Sequence, residues 1–148
     1  MEPLRIYLAS SWKNEKIVNN LAKILRGNGY VVDAFTDTST GRFVFHFSEI
    51  GPIDKLQAIS FLKDSRSQKA FQEDKKWLNW CDCCILLLPA GKSTHLEAGY
   101  AKGCGKKLVI YHPERFPLGE FDVMYGFADI LVEGIHDLLT YLEHGIGR

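Results

Sequence analysis

The sequence has no excess of charge of either sign and no long hydrophobic run. Its 148 residues include 18 Lys and Arg and 18 Asp and Glu, so the formal net charge is zero. A surface without a basic surplus does not favour a nucleic-acid polymer or an acidic membrane as a partner. The longest apolar run, residues 83–89, is far too short to span a bilayer. Because the first residues also lack the hydrophobic segment and cleavage site of a signal peptide, we expect a cytoplasmic protein.

Cysteine is scarce, and its spacing does not match a metal site. Three of the four cysteines lie within residues 81–84, and the fourth is Cys104. Structural zinc sites usually take their ligands from two separated pairs, and no second pair exists here; His95 would be a single extra ligand. We therefore predict reduced, buried thiols, with no metal ion and no cofactor.

A complete phosphate-binding loop is also absent. Residues 90–94 (AGKST) match only the end of the nucleoside triphosphatase pattern, whose first glycine would fall at Leu86, inside an apolar run. The sequence therefore argues against a nucleoside triphosphatase. Lys92 and Ser93 still precede a predicted helix, where an anion such as a phosphate monoester is favoured.

Short apolar runs alternate with helical patterns along the chain. Residues 83–88 are apolar at every position, which is typical of a strand buried on both faces. Strands that alternate with helices predict a parallel sheet with right-handed crossovers. We expect one α/β domain over residues 1–148, a flavodoxin-like (Rossmann-like) three-layer sandwich with five parallel strands in the order 2-1-3-4-5. The predicted strands are 4–9, 30–35, 83–88, 108–111 and 130–132, and the predicted helices are 12–28, 66–81, 94–104 and 135–143.

Sheets of this kind bind ligands beyond the carboxyl ends of their strands, so the loops after Ala9, Phe35, Leu88 and Tyr111 should form the site. The loop at residues 36–52 is longer than a connection requires, which is common for functional loops.

The long loop contains an aromatic segment at residues 42–47 (RFVFHF). If the segment folds over the site, Phe45 or Phe47 could stack on a base, and His46 could reach the same ligand. The alternative is a hydrophobic lid or a contact between subunits.

Two carboxylates occupy unusual positions. Glu97 lies near the predicted start of a helix, where Thr94 and Glu97 fit the spacing of a capping box. Asp74 has only apolar residues three and four positions away on its helix, which is costly unless it is paired or borders a pocket. The ordinary interpretation pairs Asp74 with a backbone amide or a lysine. If the two converge on one cleft, they match the chemistry of glycosidic bond cleavage.

Several short motifs follow one another in a particular order. They are 6–9 (IYLA) followed by Trp12, Asp74 with Asp82, 96–101 (LEAGYA), and 123–126 (VMYG) before Ala128 and Asp129. This order resembles the nucleoside 2-deoxyribosyltransferase superfamily over roughly residues 4–132. That group includes transferases and hydrolases of nucleoside 5′-monophosphates.

The resemblance implies a role for five residues. Glu97 corresponds to the nucleophile that forms a covalent ribosyl intermediate, and Tyr7 to a tyrosine that hydrogen-bonds it. Asp74 corresponds to the aspartate that handles the leaving base, Met124 to a residue near the base and sugar, and Trp12 would line the same pocket. A helix N-terminus should lower the pKa of Glu97, and apolar surroundings should raise that of Asp74.

The sequence departs from the resemblance in one respect. Many members have an acidic residue five or six positions before the nucleophile, where this chain has Lys92 and Gly91. A cation there suits a 5′-phosphate, together with Ser93 and Ser10. The alternative is that Lys92 is a solvated lysine and Ser93 a helix cap.

The resemblance implies an enzyme that cleaves or exchanges the N-glycosidic bond of a nucleoside or its 5′-monophosphate. By analogy, we also expect a homo-oligomer, a dimer or larger. Two alternatives remain: an NAD-type glycohydrolase, and a non-catalytic nucleotide sensor or adaptor that binds without releasing a base.

Overall fold

A computed structural model describes residues 2–37 and 41–147. Its centre is a five-stranded, all-parallel sheet in the order β2-β1-β3-β4-β5, which confirms the predicted flavodoxin-like topology. The strands are β1 (Arg5–Ala9), β2 (Val31–Ala34), β3 (Cys83–Leu87), β4 (Lys107–His112) and β5 (Ile130–Glu133).

The helices lie at or near the predicted positions, with one addition. They are α1 (Glu15–Gly27), α2 (Ala58–Lys63), α3 (Ser65–Trp80), α4 (Lys92–Gly103) and α5 (Ile135–Thr140), which continues as a π-helical turn over Tyr141–Gly145. The sequence did not predict α2, because six residues are too few to show a helical period. Short 3₁₀ turns occupy Trp12–Asn14, Phe47–Glu49, Ile53–Lys55 and Val123–Phe127.

The core forms on both faces of the sheet. Alternate side chains of β1 and β3 point to opposite faces, and every residue of β3 is buried, as predicted. Ile6 and Leu8 pack with α1 and α5, whereas Tyr7 and Ala9 pack on the face covered by α3 and α4. This alternation places Tyr7 on the same side of the sheet as the helices that carry Asp74 and Glu97.

The four cysteines are free thiols, but they differ in burial. Cys81, Cys83 and Cys84 are buried, as predicted, whereas Cys104 is exposed because it follows the last turn of α4 at the surface. Residues 2–37 and 41–147 contain no cluster of side chains arranged to hold a metal ion. Across the same residues, every helix is too short or too polar to cross a membrane.

Candidate active site

A cleft of about 220 Å³ opens at the carboxyl edge of the sheet, where loops follow β1, β2 and β3. This is the edge that the topology predicts, although the loop after β4 does not line the cleft. Tyr7 and Glu97 border it from β1 and α4, and Asp74 borders it from α3. The other lining residues are Ser10, Trp12, Phe35, Arg42, Phe43, Val44, Phe45, Ala70, Ser93 and Thr94.

Glu97 accepts a hydrogen bond from the Tyr7 hydroxyl, which is the contact that the resemblance implies. The predicted capping box is wrong. Since α4 begins at Lys92 and is capped by Gly91, Glu97 lies in the second turn, beyond reach of the free amides. The hydroxyl of Thr94 instead donates to the Gly91 carbonyl at 2.8 Å.

Burial raises the pKa of Glu97 to about 7, against the lowering effect of the Tyr7 hydrogen bond. The expected lowering of this pKa is therefore wrong, because desolvation outweighs the favourable groups around the carboxylate. Burial and the neighbouring Glu97 also raise the pKa of Tyr7 well above its usual value. Tyr7 thus stays protonated and acts as a permanent hydrogen-bond donor to Glu97.

Asp74 is paired with an arginine that the sequence did not single out as a site residue. The Nη2 atom of Arg42 lies 3.0 Å from Asp74 Oδ1, and its Nε donates to Asp33 Oδ1 at 2.9 Å. Burial raises the pKa of Asp74, as expected from its apolar neighbours, while Arg42 opposes the rise. The sequence contains one indication of Asp33 as a site residue, since it is the only charged residue in the apolar run YVVDAF that contains β2.

Four further predicted residues do line the cleft. Trp12 packs edge-to-face on Phe35 with ring centroids 4.9 Å apart, and Phe45 stacks on Phe61 at 6.2 Å. Ser93 borders the cleft from the first turn of α4. The fourth is Ser10.

The hydroxyl of Ser10 makes two hydrogen bonds at the start of the loop after β1. It donates to the Leu87 carbonyl and accepts from Asn14 Nδ2, each at 3.0 Å. Ser11, not Ser10, caps the 3₁₀ turn that leads into α1. Ser10 is therefore held within the wall of the cleft by the protein itself.

Three predicted site residues lie outside the cleft. His46 is exposed, and its ring caps the turn at Phe47–Glu49 by accepting from the Ser48 amide. Lys92 and Met124 line a separate pocket of about 850 Å³ along another face of α4. Ser93 and Glu97 are four residues apart and share one face of α4, whereas Lys92 lies on the adjacent face. The predicted contact of Lys92 with a substrate in the cleft is therefore not supported.

The fold and the cleft together define a flavodoxin-like α/β protein with two partly buried carboxylates at the carboxyl edge of its sheet. No family model and no curated protein matches the chain. An N-glycosidase and a deoxyribosyltransferase are among the solved structures that share its fold. The Clostridium botulinum CMP N-glycosidase BcmB aligns at 18% identity over 94% of this chain and 97% of its own, with a TM-score of 0.56. A 2-deoxyribosyltransferase from Bacillus psychrosaccharolyticus aligns at 19% identity over 93% and 91%, with a TM-score of 0.67.

Proposed function

We propose that the protein is an enzyme that cleaves or exchanges the N-glycosidic bond of a nucleoside or nucleoside 5′-monophosphate, with Glu97 as nucleophile. The observation that carries the proposal is the Tyr7–Glu97 hydrogen bond, with Asp74 bordering the same cleft. The likeness to an N-glycosidase and a deoxyribosyltransferase supports this reaction class.

The reaction begins with attack of Glu97 on the anomeric carbon, which has oxocarbenium character in the transition state. The bond to the base breaks as the ester forms, and the Asp74 carboxyl donates a proton to the leaving base. In the second step, the proton of the incoming water or base returns to Asp74. Water then hydrolyses the ester in a hydrolase, whereas a second base displaces it in a transferase. Because Glu97 is desolvated, forming a neutral ester relieves the cost of burying its charge.

Each remaining group has a defined task. Tyr7 fixes the orientation of the Glu97 carboxylate through its hydrogen bond, which limits the wrong rotamers. Trp12 and Phe45 supply aromatic surface for a base. Ser93 and the first amides of α4 are the groups at the cleft that suit a phosphate, since a helix N-terminus favours an anion.

The test is the release of free base from nucleosides, deoxynucleosides, their 5′-monophosphates and NAD, with and without an added acceptor base. Wild-type release that Glu97→Gln abolishes would support the proposal, and Glu15→Gln, an exposed glutamate on α1, is the matched control. Dependence on the acceptor marks a transferase, and nicotinamide from NAD marks a glycohydrolase. Ligand binding without base release contradicts the proposal and indicates a sensor.

We also propose that the protein self-associates through the outer face of α4 and its neighbours. A groove of about 510 Å³ between α3 and α4 has mainly apolar walls and reaches Asp74 and Glu97. Exposed apolar side chains line this groove and the neighbouring pocket on the other face of α4, and exposed apolar surfaces of this kind are usually covered. They are Leu62, Phe71, Leu96 and Tyr100 in the groove, and Phe121, Met124 and Phe127 in the pocket.

A two-fold axis near α4 would seat the apolar segment 118–127 of one copy against the groove of the other. Met124 would then approach the site of the second copy, in line with the role that the resemblance implies. Light scattering after gel filtration should show a dimer or larger, and Leu96→Asp should dissociate it. Ile17→Asp, on the opposite layer, is the control. A monomeric wild type contradicts this proposal.

A further inference from the structure

Arg42 is enclosed between two carboxylates that belong to different layers of the fold. The side chains of Arg42 and Asp33 are 1% and 5% exposed, whereas the side chain of Asp74 is 40% exposed. Asp33 belongs to β2 and Asp74 to α3, while Arg42 comes from the loop after β2. One guanidinium therefore connects the sheet to the helix that borders the cleft.

The two contacts of Arg42 differ in geometry. The bond from Nε to Asp33 is an aligned hydrogen bond, whereas Nη2 lies 3.0 Å from Asp74 without hydrogen-bond alignment. Among the described residues, Arg42 Nη2 and Asp33 Oδ2 are two of the three buried side-chain polar atoms without a hydrogen-bond partner. Asp33 thus anchors the arginine, and the ion pair with Nη2 holds Asp74 at the cleft.

The charges around this arginine are unbalanced. Asp33, Asp74, Glu97 and Glu73 all act on the same region, together with the neutral Tyr7. Arg42 is the cation that offsets them, because it lowers the pKa of Asp33, Asp74 and Glu97 against the effect of burial. A residue that only connected β2 to α3 would not need to border the cleft. Arg42 is one of the residues that line it.

We propose that Arg42 is a positioning residue, anchored on Asp33, that holds the Asp74 carboxylate at the cleft beside Glu97. The inference deepens the proposed function and rests on it for its kinetic consequence. With Arg42 in place, Asp74 keeps one orientation towards the leaving base. Without Arg42, Asp74 can rotate away, and both cleft carboxylates hold their protons to higher pH.

The test compares Asp33→Asn with the double variant Asp33→Asn and Arg42→Met. Arg42→Met alone would leave the buried charge of Asp33 unpaired, and Asp33→Asn removes that charge. The difference between the single and the double variant therefore measures the effect of losing the arginine in a protein that still folds. Arg42→Lys tests rescue, since lysine keeps the charge without the planar fork.

Relative to Asp33→Asn, we expect the double variant to lose about 100-fold in kcat with a much smaller change in KM, as for a reacting group displaced by about 1 Å. The acid limb of its pH profile should move to higher pH. Carbon-13 titration of the Asp74 carboxyl should show a higher pKa in the double variant, and Arg42→Lys should remain close to wild type in that titration.

An unchanged Asp74 titration between the two variants overturns the proposal, whatever the activity. So does an unchanged kcat in an active enzyme. If the wild type itself releases no base, the proposed function fails, and the carboxyl titration still decides whether Arg42 controls Asp74.

Discussion

The hydroxyl of Tyr7 donates a hydrogen bond to the carboxylate of Glu97, and this contact joins the middle of β1 to the second turn of α4. Tyr7 reaches Glu97 because the alternation of β1 directs it to the face covered by α3 and α4. The tyrosine is buried and stays protonated, so the bond always favours the ionised form of Glu97. In the proposed nucleophile, burial therefore raises the pKa of the carboxyl group, and the hydrogen bond from Tyr7 lowers it.

Removal of that donor should change the pH at which the enzyme works. Tyr7→Phe deletes the hydrogen bond that lowers the pKa of Glu97, so this pKa should rise above about 7. The acid limb of kcat/KM, which reports ionisation in the free enzyme, should move to higher pH, with kcat lower by about 10- to 100-fold.

The matched control is Tyr111→Phe, a buried tyrosine of β4 on the opposite face of the sheet. Its pH profile should equal that of the wild type. An acid limb that stays in place in Tyr7→Phe would mean that the hydrogen bond does not tune Glu97.

Glu97 should also make the protein less stable at alkaline pH. Its pKa is about 7 in the folded state, against 4.5 for an ordinary glutamate, so the folded state binds more protons between these values. The free energy of unfolding therefore falls as pH rises from about 4.5 to about 7 and stays low above that range. Glu97→Gln removes this cost and should stabilise the protein at pH 8 by up to about 3 kcal/mol, with little effect at pH 4.

Urea denaturation of Glu97→Gln and of Glu15→Gln at both pH values measures the effect. Glu15 is exposed at the start of α1, so its variant should not differ from wild type in pH dependence. A Glu97→Gln protein with no gain at pH 8 would show that the carboxylate is better solvated than its position indicates.

Arg42 should contribute strongly to stability while its two partners are charged. Arg42→Met leaves Asp33 buried and unpaired, which should destabilise the fold by about 3 kcal/mol at pH 7. Because burial already raises the pKa of Asp33, protonation should reduce the loss at lower pH. Adding Asp33→Asn to Arg42→Met should recover most of the stability, as measured by urea denaturation; equal losses in the single and double variants would contradict this account.

The chain order of the strands could be predicted from the sequence, because it depends on local patterns such as residues 83–88, which are apolar throughout. Of the two cleft carboxylates, Asp74 was indicated by its apolar helical neighbours, whereas Glu97 was indicated by the resemblance of residues 96–101 (LEAGYA). The Asp33–Arg42 pair could not be predicted in the same way. Its partners come from a strand and a loop, and only the folded chain brings the guanidinium between β2 and α3.

His46 and Lys92 lie outside the cleft for a common physical reason. Residue type and chain position predict both as site residues, but the direction of a side chain depends on the turn that carries it. A 3₁₀ turn begins immediately after His46 and uses its ring as a cap. Because α4 begins at Lys92, two residues before the predicted start, Glu97 lies in the second turn and not in the first. Lys92 lies on a different face of the helix from the cleft.

Aromatic side chains at the cleft should govern substrate affinity more than turnover. Trp12 lines the cleft yet is 41% exposed, so its indole face is accessible to a base. Trp12→Leu should raise KM by about tenfold, the effect expected when about 1–3 kcal/mol of base stacking is lost, with a smaller change in kcat. His46→Ala, next to Phe45 in sequence but outside the cleft, should leave both constants unchanged. A KM that responds to His46→Ala and not to Trp12→Leu would place the base on the loop after β2 and away from the ring of Trp12.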